Sequence, residues 1–292
     1  MELRKKILQH AGPLYAVCYT SKLDLIFTGG ADNIVASWDP ITFENTDFSI
    51  KTSSTILNLT IVNETQLFIG LFNGDVHVID LETKKEIKYI TYHKKGVYAS
   101  LYNRKTNYLI IGSGDGNLSI WDCKNYDLLL SKKISDSKIR AITMVDNLVY
   151  VGTTEGVLYV LDVVDMSLVD SYNISEEGIN SLSLIPQKNA ILLGGKDAHL
   201  TMYSTSLNKV VLKIPAHNWA IYKVLVIENI LITCSRDKTI KEWDLTTMNL
   251  IKRHGFPQVK SHTHSVNSME YIAKHQLIVS VGDDKAICIW SL

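Results

Sequence analysis

The chain has 292 residues, of which 46% are hydrophobic and 21% are charged, so it is long enough to bury a sizeable core. Thirty basic and thirty acidic residues give a formal net charge of zero, which leaves no global field to attract nucleic acid or an anionic membrane. No stretch approaches the roughly 18 apolar residues of a membrane span, and no apolar run follows the basic N-terminus. We therefore expect a cytoplasmic protein.

The four cysteines are far apart in the sequence and form no Cys-x-x-Cys pair; they are Cys18, Cys123, Cys234 and Cys288. Three of them fall in predicted strands. Buried free thiols are the favoured interpretation, rather than a metal or redox site.

A seven-residue pattern that ends in Trp-Asp, or in a degraded form of it, recurs along the chain. Its end positions, in chain order, are Trp38, Ile79, Trp121, Leu161, Tyr203, Trp243 and Trp290. Successive end positions are separated by 41, 42, 40, 42, 40 and 47 residues. A period near forty residues is the signature of the blades of a β-propeller.

Each repeat opens with an apolar residue that begins a predicted strand; these residues are Leu14, Ile56, Val97, Ile139, Ile179, Ile221 and Val266. In the first repeat, residues 14–20 alternate, residues 25–28 follow a polar turn, and residues 34–38 follow a tight Gly-rich connection. Alternating β-branched and aromatic residues bounded by Gly, Asp and Asn predict strands and hairpins. No window shows a helical period, so we predict an all-β chain.

These patterns resemble the WD-repeat family, and the resemblance runs from about residue 3 to residue 292. Four histidines each precede a strand-opening residue by four positions and the Trp position by 26 or 28; they are His10, His93, His217 and His262. The resemblance implies one domain over residues 1–292, a seven-bladed β-propeller with four antiparallel strands per blade. Only Ser291 and Leu292 follow Trp290, so we expect residues 3–8 to pair with the last blade and close the ring.

The resemblance also implies a network in which a His, a Ser or Thr, an Asp and a Trp hydrogen-bond in series within a blade. Three repeats contain all four members: His10, Thr28, Asp32 and Trp38; His217, Thr233, Asp237 and Trp243; and His262, Ser280, Asp284 and Trp290. The third repeat contains His93, Asp115 and Trp121 but has Ile111 at the hydroxyl position. Because the set recurs and a catalytic site is needed once, we interpret it as structural rather than as a hydrolase triad.

One connection is longer than the others. The spacing from the Trp position to the next His position is 19 residues after Trp243, against 14 in the other repeats. The extra residues fall in 253–260, and His254, His262 and His264 could together hold a metal. No carboxylate or cysteine stands beside them in the sequence, so we favour an enlarged surface loop and expect no metal and no cofactor.

In the family, the residues that flank each strand-opening position and the residue before each turn Asp position commonly contact partners on the top face. Here these positions carry aromatic and basic side chains: Tyr15, Phe72, Tyr98, Lys138, Arg140, Lys196, Tyr222 and Arg236. Exposed aromatic residues together with Arg are typical of protein-binding hot spots. The alternative for any single one of them is that it lines the axial channel.

These features favour a non-catalytic protein-protein interaction platform, a scaffold or adaptor that binds an acidic peptide or protein segment on its top face. We expect it to be monomeric on its own and to have no membrane partner. The sequence contains no nucleophile elbow, phosphate-binding glycine loop or paired zinc motif. Two alternatives stay open: a propeller enzyme with an unrecognised active site, and a single-stranded nucleic-acid binder, because aromatic and basic residues are interleaved.

Overall fold

The computed structural model describes residues 1–292 and contains 28 β-strands and two single-turn 3₁₀ helices, with no α-helix. The strands form seven separate four-stranded sheets, which are the blades of a seven-bladed β-propeller with antiparallel strands. The predicted all-β fold and the number of blades are therefore confirmed. The chain divides into two compact units, residues 1–136 with 268–292 and residues 137–267. The assignment of residues 1–292 to a single domain stays a prediction.

The first unit contains blades one, two and three and nearly all of blade seven. Blade one consists of β2 (Leu14–Thr20), β3 (Leu25–Gly30), β4 (Ile34–Trp38) and β5 (Asn45–Lys51). Blade two consists of β6 (Ile56–Val62), β7 (Gln66–Leu71), β8 (Asp75–Asp80) and β9 (Lys85–Thr91). Blade three consists of β10 (Val97–Asn103), β11 (Tyr108–Ser113), β12 (Asn117–Asp122) and β13 (Asp127–Lys133). Blade seven consists of β26 (Val266–Ile272), β27 (Leu277–Gly282), β28 (Ile287–Ser291) and β1 (Glu2–Ile7), with a 3₁₀ turn at Ala273–His275.

The second unit contains blades four, five and six. Blade four consists of β14 (Ile139–Val145), β15 (Leu148–Thr153), β16 (Val157–Asp162) and β17 (Leu168–Asn173). Blade five consists of β18 (Ile179–Ile185), β19 (Ala190–Gly195), β20 (His199–Ser204) and β21 (Lys209–Pro215), with a 3₁₀ turn at Pro186–Lys188. Blade six consists of β22 (Ile221–Ile227), β23 (Ile230–Ser235), β24 (Ile240–Asp244) and β25 (Leu250–His254).

The N-terminal strand completes blade seven. β1 pairs antiparallel with β28, with Leu3 opposite Trp290 and Ile7 opposite Ile287. The Lys6 ammonium also donates to Asp284 Oδ2 at 3.1 Å. The predicted pairing of the N-terminal segment with the last blade is therefore confirmed.

The core lies between neighbouring blades, because a single sheet cannot bury both of its faces. In the first unit, Leu14 and Trp38 of blade one pack with Ile287 and Ile289 of blade seven. In the second unit, Trp243 packs with Leu192 and Met202 of blade five. The second strands are buried along nearly their whole length, whereas the outer strands are largely exposed. Their exposed Lys residues, such as those in β9 and β21, discourage edge-to-edge pairing.

All four cysteines are buried free thiols, as the sequence predicts. Burial raises the pKa of the Cys123 and Cys234 thiols to about 12, so both are protonated at neutral pH. No helix in the structure has the length and hydrophobicity needed to cross a bilayer.

Candidate functional site

The predicted side-chain network of blade one is assembled around Thr28. Trp38 Nε1 donates to Thr28 Oγ1 at 2.8 Å, and His10 Nε2 lies 2.9 Å from the same hydroxyl. His10 Nδ1 lies 2.6 Å from Asp32 Oδ2. Because the Thr28 oxygen accepts from Trp38, its hydrogen can be donated to His10 Nε2, which leaves the Nδ1–H to donate to Asp32. The four residues therefore form one satisfied buried chain of hydrogen bonds.

Blade six repeats this geometry around Thr233. His217 lies 2.9 Å from Asp237 through Nδ1 and 2.7 Å from Thr233 through Nε2, and Trp243 Nε1 donates to Thr233 Oγ1 at 2.9 Å. Burial lowers the pKa of His217, although Asp237 opposes the shift, so the imidazole is neutral at pH 7. Burial raises the pKa of Asp237, but hydrogen bonds from His217 and Thr239 outweigh this effect, and the net pKa lies far below its usual range.

Blade three differs from the sequence interpretation, which treated its hydroxyl as lost because Ile111 occupies the expected position. In the structure Ser119 supplies the hydroxyl: His93 Nε2 lies 2.9 Å from Ser119 Oγ, and Trp121 Nε1 donates to it at 2.8 Å. Ile111 and Ser119 are directly opposite each other on β11 and β12, so the hydroxyl has moved across the strand pair. The network is retained, but His93 Nδ1 is 3.5 Å from Asp115 and has no hydrogen-bond partner.

Blade seven contains the Trp-to-hydroxyl bond of the network and a buried histidine. Trp290 Nε1 donates to Ser280 Oγ at 2.9 Å, and His262 is buried with 1% of its surface exposed. Asp284 accepts from the Lys6 ammonium and from the backbone N–H of Ala286. In this blade the turn aspartate therefore also holds the N-terminal strand in place.

The positions predicted to contact a partner are held together by a recurring backbone hydrogen bond. In six blades the N–H of the residue before the turn Asp position donates to the carbonyl of the residue before the strand-opening position, at 2.8–3.0 Å. The donors and acceptors are Ala31 and Pro13, Phe72 and Thr55, Gly114 and Gly96, Thr154 and Lys138, Lys196 and Gly178, and Arg236 and Ala220. This bond places both sets of predicted residues at the same end of each blade, which we call the strand-opening end.

In blades one to six the residue after the strand-opening position is a β-bulge. In six blades the pairing of the first two strands skips this residue, for example between Val97 and Ala99 and between Ile221 and Lys223. The skipped residues are Tyr15, Leu57, Tyr98, Arg140, Asn180 and Tyr222. A bulge redirects a side chain out of the regular alternation of the sheet and is common beside functional sites. Four of these residues are among those predicted to contact a partner.

In the first unit, two predicted aromatic residues belong to one neighbourhood. Phe72 is 58% exposed, and its Cα would lie 3.3 Å from a Cβ added at Gly96, the residue two before Tyr98. The Tyr98 ring lies over Gly114, where a Cβ would come within 2.8 Å of Cε2. Glycine at position 114 therefore leaves room for the Tyr98 ring next to the backbone. Burial, and secondarily the carboxylate of Asp283, raise the pKa of half-buried Tyr15.

In the second unit, Lys138, Lys196 and Arg236 are exposed, and Arg140 and Tyr222 are half-buried. The Arg236 guanidinium lies over the ring of Trp219, 4.5 Å from its centroid. Trp219 is 54% exposed and was not among the predicted residues. An aromatic residue between the His position and the strand-opening position was the sequence signal that could have identified it.

The enlarged connection contains a buried contact that the sequence did not suggest. His254 Nε2 contacts Glu242 Oε1, and both side chains are buried. No carboxylate stands beside these histidines in the sequence, but the pairing of β24 with β25 brings Glu242 to His254 from twelve residues away. His254 therefore anchors the end of β25, and the surface part of the connection begins after it.

A family model described as "WD domain, G-beta repeat" matches residues 1–39, 84–122, 208–244 and 256–291, which is just over half of the chain. The chain belongs to the WD40 repeat family. The four matched segments end in, or one residue after, the third strands of blades one, three, six and seven, the blades whose Trp donates to a hydroxyl. In blades two, four and five the Trp position lies outside the matched segments and carries Ile79, Leu161 and Tyr203.

Among curated relatives, F-box/WD repeat-containing protein 15 of Mus musculus is 26% identical over 174 residues, which cover 56% of this chain and 35% of the relative. Eukaryotic translation initiation factor 3 subunit I of Botryotinia fuckeliana is 22% identical over 214 residues, which cover 68% of this chain and 63% of the relative. The matched part of the chain thus spans about a third and about three fifths of these relatives. The crystal structure of the computationally designed Ika8 protein superposes with a TM-score of 0.76 at 19% identity over both whole chains, which shows the shared fold.

Proposed function

We propose that this chain is a non-catalytic protein-protein interaction scaffold that binds a peptide or protein segment at the strand-opening ends of its blades. The observation that carries the proposal is the series of β-bulges, which present Tyr15, Tyr98, Arg140 and Tyr222 outside the regular ladder. A purely structural position in a repeated blade would be expected to carry similar residues throughout. Here the bulge residues differ from blade to blade, which suits a binding surface better than a packing role.

The exposed residues beside the bulges have the composition of a binding hot spot. Phe72 is exposed in the first unit, and Lys138, Lys196 and Arg236 are exposed in the second. Aromatic and Arg residues are enriched at the centres of protein interfaces, while isolated apolar surface residues need no explanation. The basic members favour an acidic or carboxylate-bearing segment, since complementary charge steers association and fixes orientation.

The names of the relatives are consistent with a subunit or adaptor that works in an assembly. One relative is a subunit of a translation initiation factor, and another is an F-box/WD repeat protein. We propose by analogy that this chain, too, acts through partner proteins, in the cytoplasm and as a monomer before it binds. Fold likeness alone does not transfer a partner, so the proposal rests on the surface residues above.

Site-specific photocrosslinking tests the proposal directly. A photoreactive phenylalanine analogue is placed at Phe72, which is 58% exposed at the strand-opening end, or at Ile41, which is 69% exposed beside the far end of β4. Irradiation in an extract, followed by mass spectrometry, is expected to give a discrete protein adduct from position 72 and none from position 41. Adducts from position 41 alone, or from neither position, would show that the strand-opening end is not the binding surface.

A further inference from the structure

Blade six carries a distinct surface at its strand-opening end, formed by Trp219, Arg236, Lys238, Arg253 and Phe256, which we call the blade-six surface. Each of the five side chains is exposed, with Trp219 and Phe256 at 54% and 56%. Phe256 belongs to the segment that lengthens the connection between blades six and seven. The other four residues belong to elements present in every blade.

Hydrogen bonds join the parts of this surface into one rigid edge. Ser235 Oγ donates to the Trp219 carbonyl at 3.0 Å, Arg236 N donates to the Ala220 carbonyl, and Asn218 N donates to Asp237 Oδ2. These bonds fix the segment that bears Trp219 against the turn that bears Arg236 and Lys238.

The added segment packs against the other side of the same turn. A Cβ placed at Gly255 would lie 3.0 Å from Thr239 Cγ2, 3.6 Å from Arg253 Nη2 and 3.7 Å from the Lys238 carbonyl. The N–H of Val259 donates to the Gly255 carbonyl at 3.0 Å, so residues 255–259 form a closed turn. The start of the segment that bears Phe256 therefore lies beside the Arg253 guanidinium and the backbone of Lys238.

The three cations of the blade-six surface form no direct ion pair with a carboxylate. Arg236 lies on the Trp219 ring, and neither Lys238 nor Arg253 is joined to a carboxylate. Two carboxylates of the blade, Asp237 and Glu242, are largely buried and contact His217 and His254. Three exposed cationic side chains and two exposed aromatic rings thus belong to one end of the blade, and the cations outnumber the two buried carboxylates.

We infer that the blade-six surface binds a phosphorylated side chain in a partner peptide, with Arg236, Lys238 and Arg253 around the phosphate and Trp219 and Phe256 against the flanking residues. The inference rests on the proposed function, since it assumes that the chain binds a protein segment. A phosphate carries a charge of roughly −1.5 to −2 and three acceptor oxygens, whereas a carboxylate carries a single charge. Arginine forks match phosphate geometry, so this group uses more of the available cations than Asp or Glu would.

The stacking of Arg236 on Trp219 supports this role. The ring limits the positions open to the guanidinium, so less side-chain entropy is lost when an anion is bound. Trp219 is then a positioning residue for Arg236 as well as a contact for the peptide. Removal of the Trp219 ring should weaken phosphate recognition even for a peptide that does not contact the ring.

Paired peptide arrays provide the test. The full chain is applied to immobilised twelve-residue peptides of varied sequence, each present with a central phosphothreonine and with unmodified threonine. The strongest pairs are then measured in solution by fluorescence anisotropy, together with a labelled twelve-nucleotide oligouridylate. The variants are Arg253→Ala, Lys238→Ala and Trp219→Ala, and Lys105→Ala, in an exposed turn of blade three, is the matched control.

We expect phosphorylated peptides to bind at least about tenfold more tightly than their unmodified partners, with about tenfold loss in Arg253→Ala and no change in Lys105→Ala. Equal binding of both forms of each peptide would overturn this inference and leave the proposed scaffold function standing. Oligouridylate binding that depends on the same residues and exceeds phosphopeptide binding would also overturn it. If no peptide bound and position 72 gave no crosslinked adduct, both this inference and the proposed scaffold function would be contradicted.

Discussion

Single residues decide whether a blade keeps its internal network, and Ser119 is the clearest example. In three blades the hydroxyl is on the second strand, at Thr28, Thr233 and Ser280. In blade three it is on the third strand, directly across from Ile111. Either position brings an oxygen to the His and Trp nitrogens, so the requirement is for a hydroxyl at one point in space rather than at one point in the sequence.

Ser119→Ala should destabilise the protein by about 1–3 kcal/mol, because the buried nitrogens of His93 and Trp121 would both lose their partner. Urea unfolding followed by circular dichroism measures the change. The double variant Ile111→Thr with Ser119→Ala restores a hydroxyl at the position used in blade one and should recover much of the loss. If the single variant were as stable as the original chain, the network of blade three would contribute nothing.

The histidine of blade six should make stability depend on pH. The folded pKa of His217 is lowered, chiefly by burial, from an unfolded value of about 6.5. The unfolded chain therefore binds more protons than the folded chain between these two pKa values, so the free energy of unfolding falls as pH decreases below about 6.5 and is constant above it. The opposing carboxylate, Asp237, has a lowered pKa, so its contribution is present above about pH 4 and is lost only at more acidic pH.

The measurement is urea unfolding from pH 7.5 to pH 5. His217→Gln removes the titrating ring. In this variant we expect the slope of the free energy of unfolding against pH to decrease by the equivalent of up to one bound proton. Equal slopes for both proteins would contradict the assignment of a neutral, buried imidazole.

At the scale of the blade, the Trp positions and the N-terminal strand carry stability. Trp121 is 6% exposed and packs edge-on against Tyr92 with ring centroids 5.5 Å apart. Blades two, four and five lack this Trp and fill the place with Ile79, Leu161 or Tyr203, each buried. A blade can therefore be held by packing alone, and the polar network adds to it.

Trp121→Ala should cost on the order of 3–5 kcal/mol, because it removes a large buried side chain and leaves a cavity. Trp219→Ala is the matched control on the same chain: Trp219 is 54% exposed, so its loss should change stability by no more than about 0.5 kcal/mol. Thermal and urea melts of the two variants give the comparison. Similar losses in both would show that burial is not what makes Trp121 important.

Deletion of residues 3–8 should remove β1 and expose β28 as an unpaired edge. We expect a lower melting temperature and aggregation, measured by calorimetry and size-exclusion chromatography. Lys6→Ala, which leaves β1 in place and removes the contact with Asp284, should have a much smaller effect. An unchanged melting curve in the deletion variant would contradict the role of β1 in closing blade seven.

At the scale of the whole molecule, the number of blades, their strands and the pairing of β1 with β28 could be predicted because they follow from a period of about forty residues. The strand-opening residues Leu14, Val97 and Ile221 do open their strands. The period could not predict the role of Ser119. Its hydroxyl comes from the strand opposite Ile111, and this exchange between neighbouring strands does not change the spacing of the repeats. Nor could the period pair His254 with Glu242 or stack Arg236 on Trp219, since these contacts depend on side-chain direction.

The central claim is that the strand-opening ends bind a protein segment, and binding kinetics on the crosslinked partner test it most directly. Surface plasmon resonance compares the original chain with Arg140→Glu/Arg236→Glu, Tyr98→Ala, Tyr222→Ala and the control Lys105→Ala. Charge reversal should slow association at least about tenfold at low salt, and each Tyr truncation should mainly speed dissociation. If Arg140→Glu/Arg236→Glu and a Tyr98→Ala/Arg140→Ala double variant bound the partner with the rates of the Lys105→Ala control, the strand-opening ends would not be the binding surface.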